Sequence, residues 1–142
     1  MEKKNLVWNF IKIGREHRKT VEKRIGALGI HPSQHHFLMH IAKNGACTQQ
    51  SIAEAMEISA ATVAVSLKKL EKGGYIEKQI GRTDGRSNLV VLTAKGEDVV
   101  EKSKCMFEQV DKEMFACVTE EEQQLLLTLL ERIVNNLKTM ED

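Results

Sequence analysis

Proline is nearly absent from this chain, one residue in 142, and aromatic side chains make up only 4% of it. A single proline leaves long stretches free to be helical, and with nine glycines the composition excludes collagen-like and proline-rich disordered chains. The shortage of Tyr, Phe and Trp argues against a large β-sandwich and leaves Leu, Ile, Val, Ala and Met to build the core. No apolar run approaches the roughly 18 residues that a bilayer span needs, so no membrane partner is expected. The opening MEKKNLVWNF lacks the long apolar stretch of a secretory signal, and a cytoplasmic location is expected. Cys47, Cys105 and Cys117 are odd in number, far apart and without CxxC spacing, which suggests neither a disulfide framework nor a thiolate zinc site. There is no phosphate-cradling glycine loop, nucleophile motif or convincing carboxylate pair, so neither an enzyme nor a cofactor is expected.

What is present is a charged (29%) and moderately apolar (42%) composition, suited to one soluble domain or two small fused lobes. The net charge of +1 hides a segregation of sign. Residues 1–28 carry +5, residues 29–58 carry −1, residues 59–92 carry +3 and residues 93–142 carry −6. The first two thirds of the chain thus suit an anionic partner, and the last third does not.

Apolar residues at helical spacing predict a first helix from Leu6 to Leu28, with Phe10, Ile13, Val21, Ile25 and Leu28 on one stripe and His17 filling its gap. Pro32 suits the first turn of a second helix to about Asn44, burying Phe37, Leu38 and Ile41. Thr48 caps a third helix about two turns long, with Ile52, Ala53 and Met56 inward, although Ser51 stands where a full capping box places Glu or Gln. After a break at Glu57-Ile58-Ser59, Ser59 caps a fourth helix from Ala60 to about Gly73 that buries Val63, Leu67 and Leu70. The period then changes to that of strands, Tyr75 to Ile80 and Asn88 to Leu92, joined by a polar turn containing Asp84-Gly85. Thr93 caps a fifth helix with an inward row of Val99, Ser103, Met106, Val110, Met114 and Cys117. Thr119 and Glu122 form a capping box for a last helix, whose Leu126, Leu130, Ile133, Leu137 and Met140 make a seam suited to a partner. The expected fold is mainly α with a small β-hairpin wing, divided into residues 1–28, 29–92 and 93–142.

Two short helices joined by a three-residue turn and followed by a basic hairpin suit duplex DNA. The major groove is about 12 Å wide and admits one helix, braced from behind by another. Ala60, Ala61, Thr62, Val65, Ser66 and Lys69 face outward on the fourth helix: small residues allow close approach, hydroxyls donate to bases or phosphates, and Val65 suits a thymine methyl. Lys68, Lys69 and Lys72 reach phosphates. Arg82 and Arg86 at the hairpin tip suit a narrow minor groove, and Asp84 fixes the tip by accepting hydrogen bonds from Arg86 or nearby amides. Ser59 completes the candidate DNA-binding set.

The segments Ser59-Ala60-Ala61-Thr62-Val63, Leu70-Glu71-Lys72-Gly73-Gly74-Tyr75-Ile76, Asp84-Gly85-Arg86 and Leu92-Thr93-Ala94-Lys95-Gly96 resemble, in that order, the MarR family of transcriptional regulators, as does Ile30-His31-Pro32-Ser33-Gln34. The resemblance implies a winged helix-turn-helix homodimer paired through its terminal helices, bound to pseudo-palindromic double-stranded DNA and answering a small-molecule effector, and the chain is read as a repressor. It makes Arg86 the minor-groove arginine and Asp84 its holder. Two positions depart from the family: Val65 stands where Arg is common, and His31 where Thr commonly caps the second helix.

Other readings attach to particular residues. His36 and His40 share one helical face at a spacing that suits zinc, but two ligands do not make a site. His17, His36 and Met106 are candidates for an effector pocket, with a hydrogen-bonded core residue as the plainer reading of His17. A thiol sensor needs an activated cysteine, and the first helix, where peroxide-sensing members of the family carry one, has none. A metal- or thiol-responsive regulator of the same fold, or a winged-helix protein-interaction module that binds no DNA, are the alternatives.

Overall fold

A computed structural model of the chain describes residues 3–80 and 88–140. The elements are α1 (Lys3–Ala27), α2 (Pro32–Asn44), β1 (Cys47–Thr48), α3 (Gln49–Met56), α4 (Ala60–Lys72), β2 (Ile76–Ile80), β3 (Asn88–Leu92), α5 (Ala94–Met114) and α6 (Glu120–Thr139). They form two compact units, Met1–Met106 and Phe107–Asp142.

The first unit owes its helix boundaries to local chemistry. At the start of α2 the unusual cap works through an imidazole: Ser33 N donates to His31 Nδ1 at 3.2 Å, with Pro32 in the first turn. Thr48 Oγ1 accepts from Ser51 N at 3.0 Å, and Ser51 Oγ accepts in return from Thr48 N at 3.1 Å, so Ser51 completes a box usually closed by a longer side chain. The turn between α3 and α4 holds Glu57 in the left-handed region, φ 54°. Gly74, at φ +80°, makes the reversal after α4, a conformation that glycine adopts without steric penalty.

Leu38 and Ile41 of α2, Ile52 of α3, Val63, Leu67 and Leu70 of α4, Ile76 of β2 and Val90 of β3 are fully buried. Each contributes about 1.5–3 kcal/mol of transfer free energy, enough to hold three short helices and a small sheet together. The expected hairpin strands, β2 and β3, pair, and a third strand, β1, joins them. The order of the sheet is β1-β3-β2, all antiparallel, with Ile76 opposite Leu92, Ile80 opposite Asn88, and Cys47 opposite Val90. The extra strand is two residues long, too short to carry a period. On α1, Ile25 is buried, but Phe10 and Ile13 of the expected inward stripe are exposed.

In the second unit the expected inward row of α5 is interrupted. Val110 is buried, Met114 is exposed, and Cys117 lies beyond the helix and is exposed. The bonding switches from Phe115 N→Asp111 O to the tighter Ala116 N→Glu113 O and Val118 N→Phe115 O, which ends the helix three residues before Cys117. Thr119 N then donates to Glu122 Oε2 and Glu122 N to Thr119 Oγ1, the capping box of α6. Leu126, Ile133, Leu137 and Met140 are exposed and Leu130 is half-buried.

Candidate nucleic-acid interface

Val63, Leu67 and Leu70 turn one side of α4 inward, and that commitment fixes what the other side shows. Ala60, Ala61, Thr62, Val65, Lys68 and Lys69 are exposed, Val65 by 57%, and Ser66 is half-buried. The two hydroxyls at the helix start are engaged with each other. Ser59 Oγ accepts from Thr62 N at 3.1 Å and lies 2.8 Å from Thr62 Oγ1. Lys68, Lys69 and Lys72 all come in the later turns of the helix. α3 lies before it across the turn, where Gln50 Nε2 donates to Glu54 Oε1 at 3.1 Å.

The far end of α4 is braced by residues remote in sequence. Lys95 Nζ donates to Gly73 O at 2.7 Å and sits 4.4 Å from the centre of the Tyr75 ring. Thr93 Oγ1 donates to Gly74 O, and Thr93 N to Tyr75 O at 3.1 Å. Tyr75 Oη donates to Gly29 O at 3.4 Å, joining the α1–α2 loop to the base of the wing. Lys78 Nζ, on β2, is 3.9 Å from Glu71 Oε2. Thr93, Lys95 and Tyr75 escape a reading by periodicity because the partners that brace them lie 18 to 46 positions away. A signal available in the sequence was the pair Gly73-Gly74 beside Tyr75. Arg82, Asp84 and Arg86, the expected wing-tip residues, lie outside the described residues.

Of the candidate effector residues, His17 is half-buried on α1, His36 exposed on α2 and Met106 half-buried on α5. No hydrogen bond joins the three. Cys47 is buried, which pushes its thiol pKa up, and its Sγ donates to Gly45 O at 2.9 Å; Cys105 and Cys117 are exposed. His35, absent from the expected sites, is the buried histidine: first burial and then the neighbouring His36 hold its pKa below the ordinary imidazole value. Among the described residues no group of three or more His, Cys, Asp or Glu is arranged to hold a metal ion, and no helix is long and apolar enough to cross a membrane.

Residues 28–87 match the sequence model of the MarR family. The HTH-type transcriptional regulator BilQ of Clostridium symbiosum is 33% identical over 98 residues, 69% of this chain and 68% of BilQ. The chain belongs to the MarR family. A second relative, the HTH-type transcriptional regulator YdgJ of Bacillus subtilis, is 36% identical over 94 residues, 66% of this chain and 57% of YdgJ. The fold is similar to that of a mutant of the S. aureus protein MepR bound to an oligodeoxyribonucleotide, with a TM-score of 0.77 at 24% identity over 93% of this chain and 97% of that one. As a member of the MarR family the chain is a DNA-binding transcription regulator with a winged helix-turn-helix lobe, and not an enzyme.

Proposed function

We propose that two copies of this chain bind a pseudo-palindromic operator as a repressor released by a small-molecule effector. Residues 29–92 form the DNA-binding lobe, and residues 1–28 and 93–142 pair the copies. The observation that carries this reading is the outward face of α4, free of charged and long polar side chains in its first two turns and lysine-bearing beyond, above a fully buried inner row. In the proposed complex Ser59 to Ser66 enter the major groove, Lys68 and Lys69 meet phosphates, and Arg82 and Arg86 enter the minor groove with Asp84 shaping the tip. The exposed Leu126, Ile133, Leu137 and Met140 of α6 support pairing, because so many apolar side chains on one helix are stabilised by a second copy. The effector site is proposed at His17, His36 and Met106. An effector acts by favouring one spacing of the two lobes over another.

The experiment is a selection of bound duplexes from a random pool, followed by anisotropy titrations of the enriched duplex between 50 and 200 mM salt. A twofold-symmetric consensus is expected. Lys69→Ala is expected to weaken all duplexes alike and to lower the log–log salt slope by about 1. An asymmetric consensus bound by a stable monomer refutes the paired reading, and an unchanged slope removes Lys69 from the phosphate contacts.

A further inference from the structure

Resting on the placement of α4 in the major groove, we infer that Val65 is its specificity-determining residue, and that the helix selects bases by the thymine 5-methyl group rather than by hydrogen-bonding edges. Bidentate recognition of guanine needs Arg or Lys, and of adenine Asn or Gln. Within Ala60 to Leu67, the part of a recognition helix that meets base edges, none of these residues occurs. The first cation along α4 is Lys68, roughly 12 Å further along the axis from Ala60 at 1.5 Å per residue. The polar groups that remain are short hydroxyls. Ser59 and Thr62 face each other at 2.8 Å, and one O–H is used between them, so the pair keeps a single donor. Ser66 is half-buried. Gln50, on the preceding helix, is held by Glu54.

What α4 does offer is methyl surface. Val65 is 57% exposed, β-branched and therefore stiff, and it stands on the same face as Ala61, one turn earlier. An exposed valine at the centre of a DNA-facing helix contributes by desolvating an apolar group on the base, and among the four bases thymine alone presents one in the major groove. The expected half-site is thus rich in thymines under Val65 and Ala61.

The test uses the duplex enriched from a random pool, rebuilt with dUTP in place of dTTP so that its 5-methyl groups are lost and its Watson–Crick pairing is kept. Affinity is expected to fall about fourfold for each methyl contact removed, with the salt slope unchanged. In Val65→Ala, an exposed position where alanine favours the helix, the ratio of thymine to uracil affinity is expected to drop by the Val65 share, about fourfold, leaving what Ala61 contributes. Equal affinity of the native chain for both duplexes overturns this inference and leaves the DNA-binding reading standing. So does a ratio undiminished in Val65→Ala, which places the methyl contact elsewhere. A pool that fails to enrich overturns both readings.

Discussion

Replacing Gly96 by alanine tests the brace at the end of α4. A Cβ there would overlap the carbonyl oxygen of Tyr75, and would lie 3.1 Å from its carbonyl carbon and 3.3 Å from Leu92 Cδ2. The obstacle is backbone, so the start of α5 has to lift from the turn at Tyr75. Thr93 N→Tyr75 O, Thr93 Oγ1→Gly74 O and Lys95 Nζ→Gly73 O all join the start of α5 to that turn. Overpacking costs about 1–3 kcal/mol, and each hydrogen bond that slips adds about 1 kcal/mol. The better helix propensity of alanine returns up to about 1 kcal/mol. The net expectation is a loss of about 2–3 kcal/mol. Gly14, in the middle of α1, supplies the control, because a Cβ there meets nothing within 4 Å and its φ is not positive. Gly14→Ala is expected to gain about 0.5–1 kcal/mol. Urea unfolding followed by circular dichroism at 222 nm, at matched protein concentration, reads both variants. A Gly96→Ala midpoint at or above that of the native chain refutes the steric reasoning.

Two further outcomes follow from buried titratable groups. Because the folded chain holds His35 below its ordinary pKa, the unfolded chain binds the proton first, and stability is expected to fall as pH drops below about 6.5 toward the folded-state value. That slope should flatten in His35→Gln and persist in His36→Gln; urea midpoints at a series of pH values decide it, and an undiminished slope in His35→Gln rejects the assignment. Cys47 is buried with a raised pKa while Cys105 and Cys117 are exposed. Ellman's reagent is expected to titrate two thiols quickly in the native protein and the third on unfolding, and three fast thiols would contradict the burial of Cys47.

The helix starts were legible because capping is a matter of three residues. Thr48, Ser59, Thr93 and Thr119 each accept from a backbone N–H three positions on, where the sequence expectation placed them. The inner row of α4 was equally plain, since Val63, Leu67 and Leu70 repeat at helical spacing. Cys117 was misplaced because the three-and-four rhythm runs past the end of α5, and Phe115-Ala116-Cys117 contains neither glycine nor proline to stop it. The strand Cys47–Thr48 carries no alternation and owes its pairing to β3, 41 to 43 positions away. The bond between the Ser59 and Thr62 hydroxyls was hidden for another reason: a cap residue and its N3 partner read as two separate donors until their side chains are placed. The tie from Tyr75 to Gly29 is tertiary and leaves no local trace.

The small sheet has a consequence for how molecules of this chain meet. One margin of it is only two residues long, and the other, β2, exposes Glu77 and Lys78 along its middle. Short or charged margins are poor templates for adding another chain's strand. In the proposed pairing through helical flanks a twofold contact uses up its own surface and stops, whereas strand-by-strand growth has no natural end.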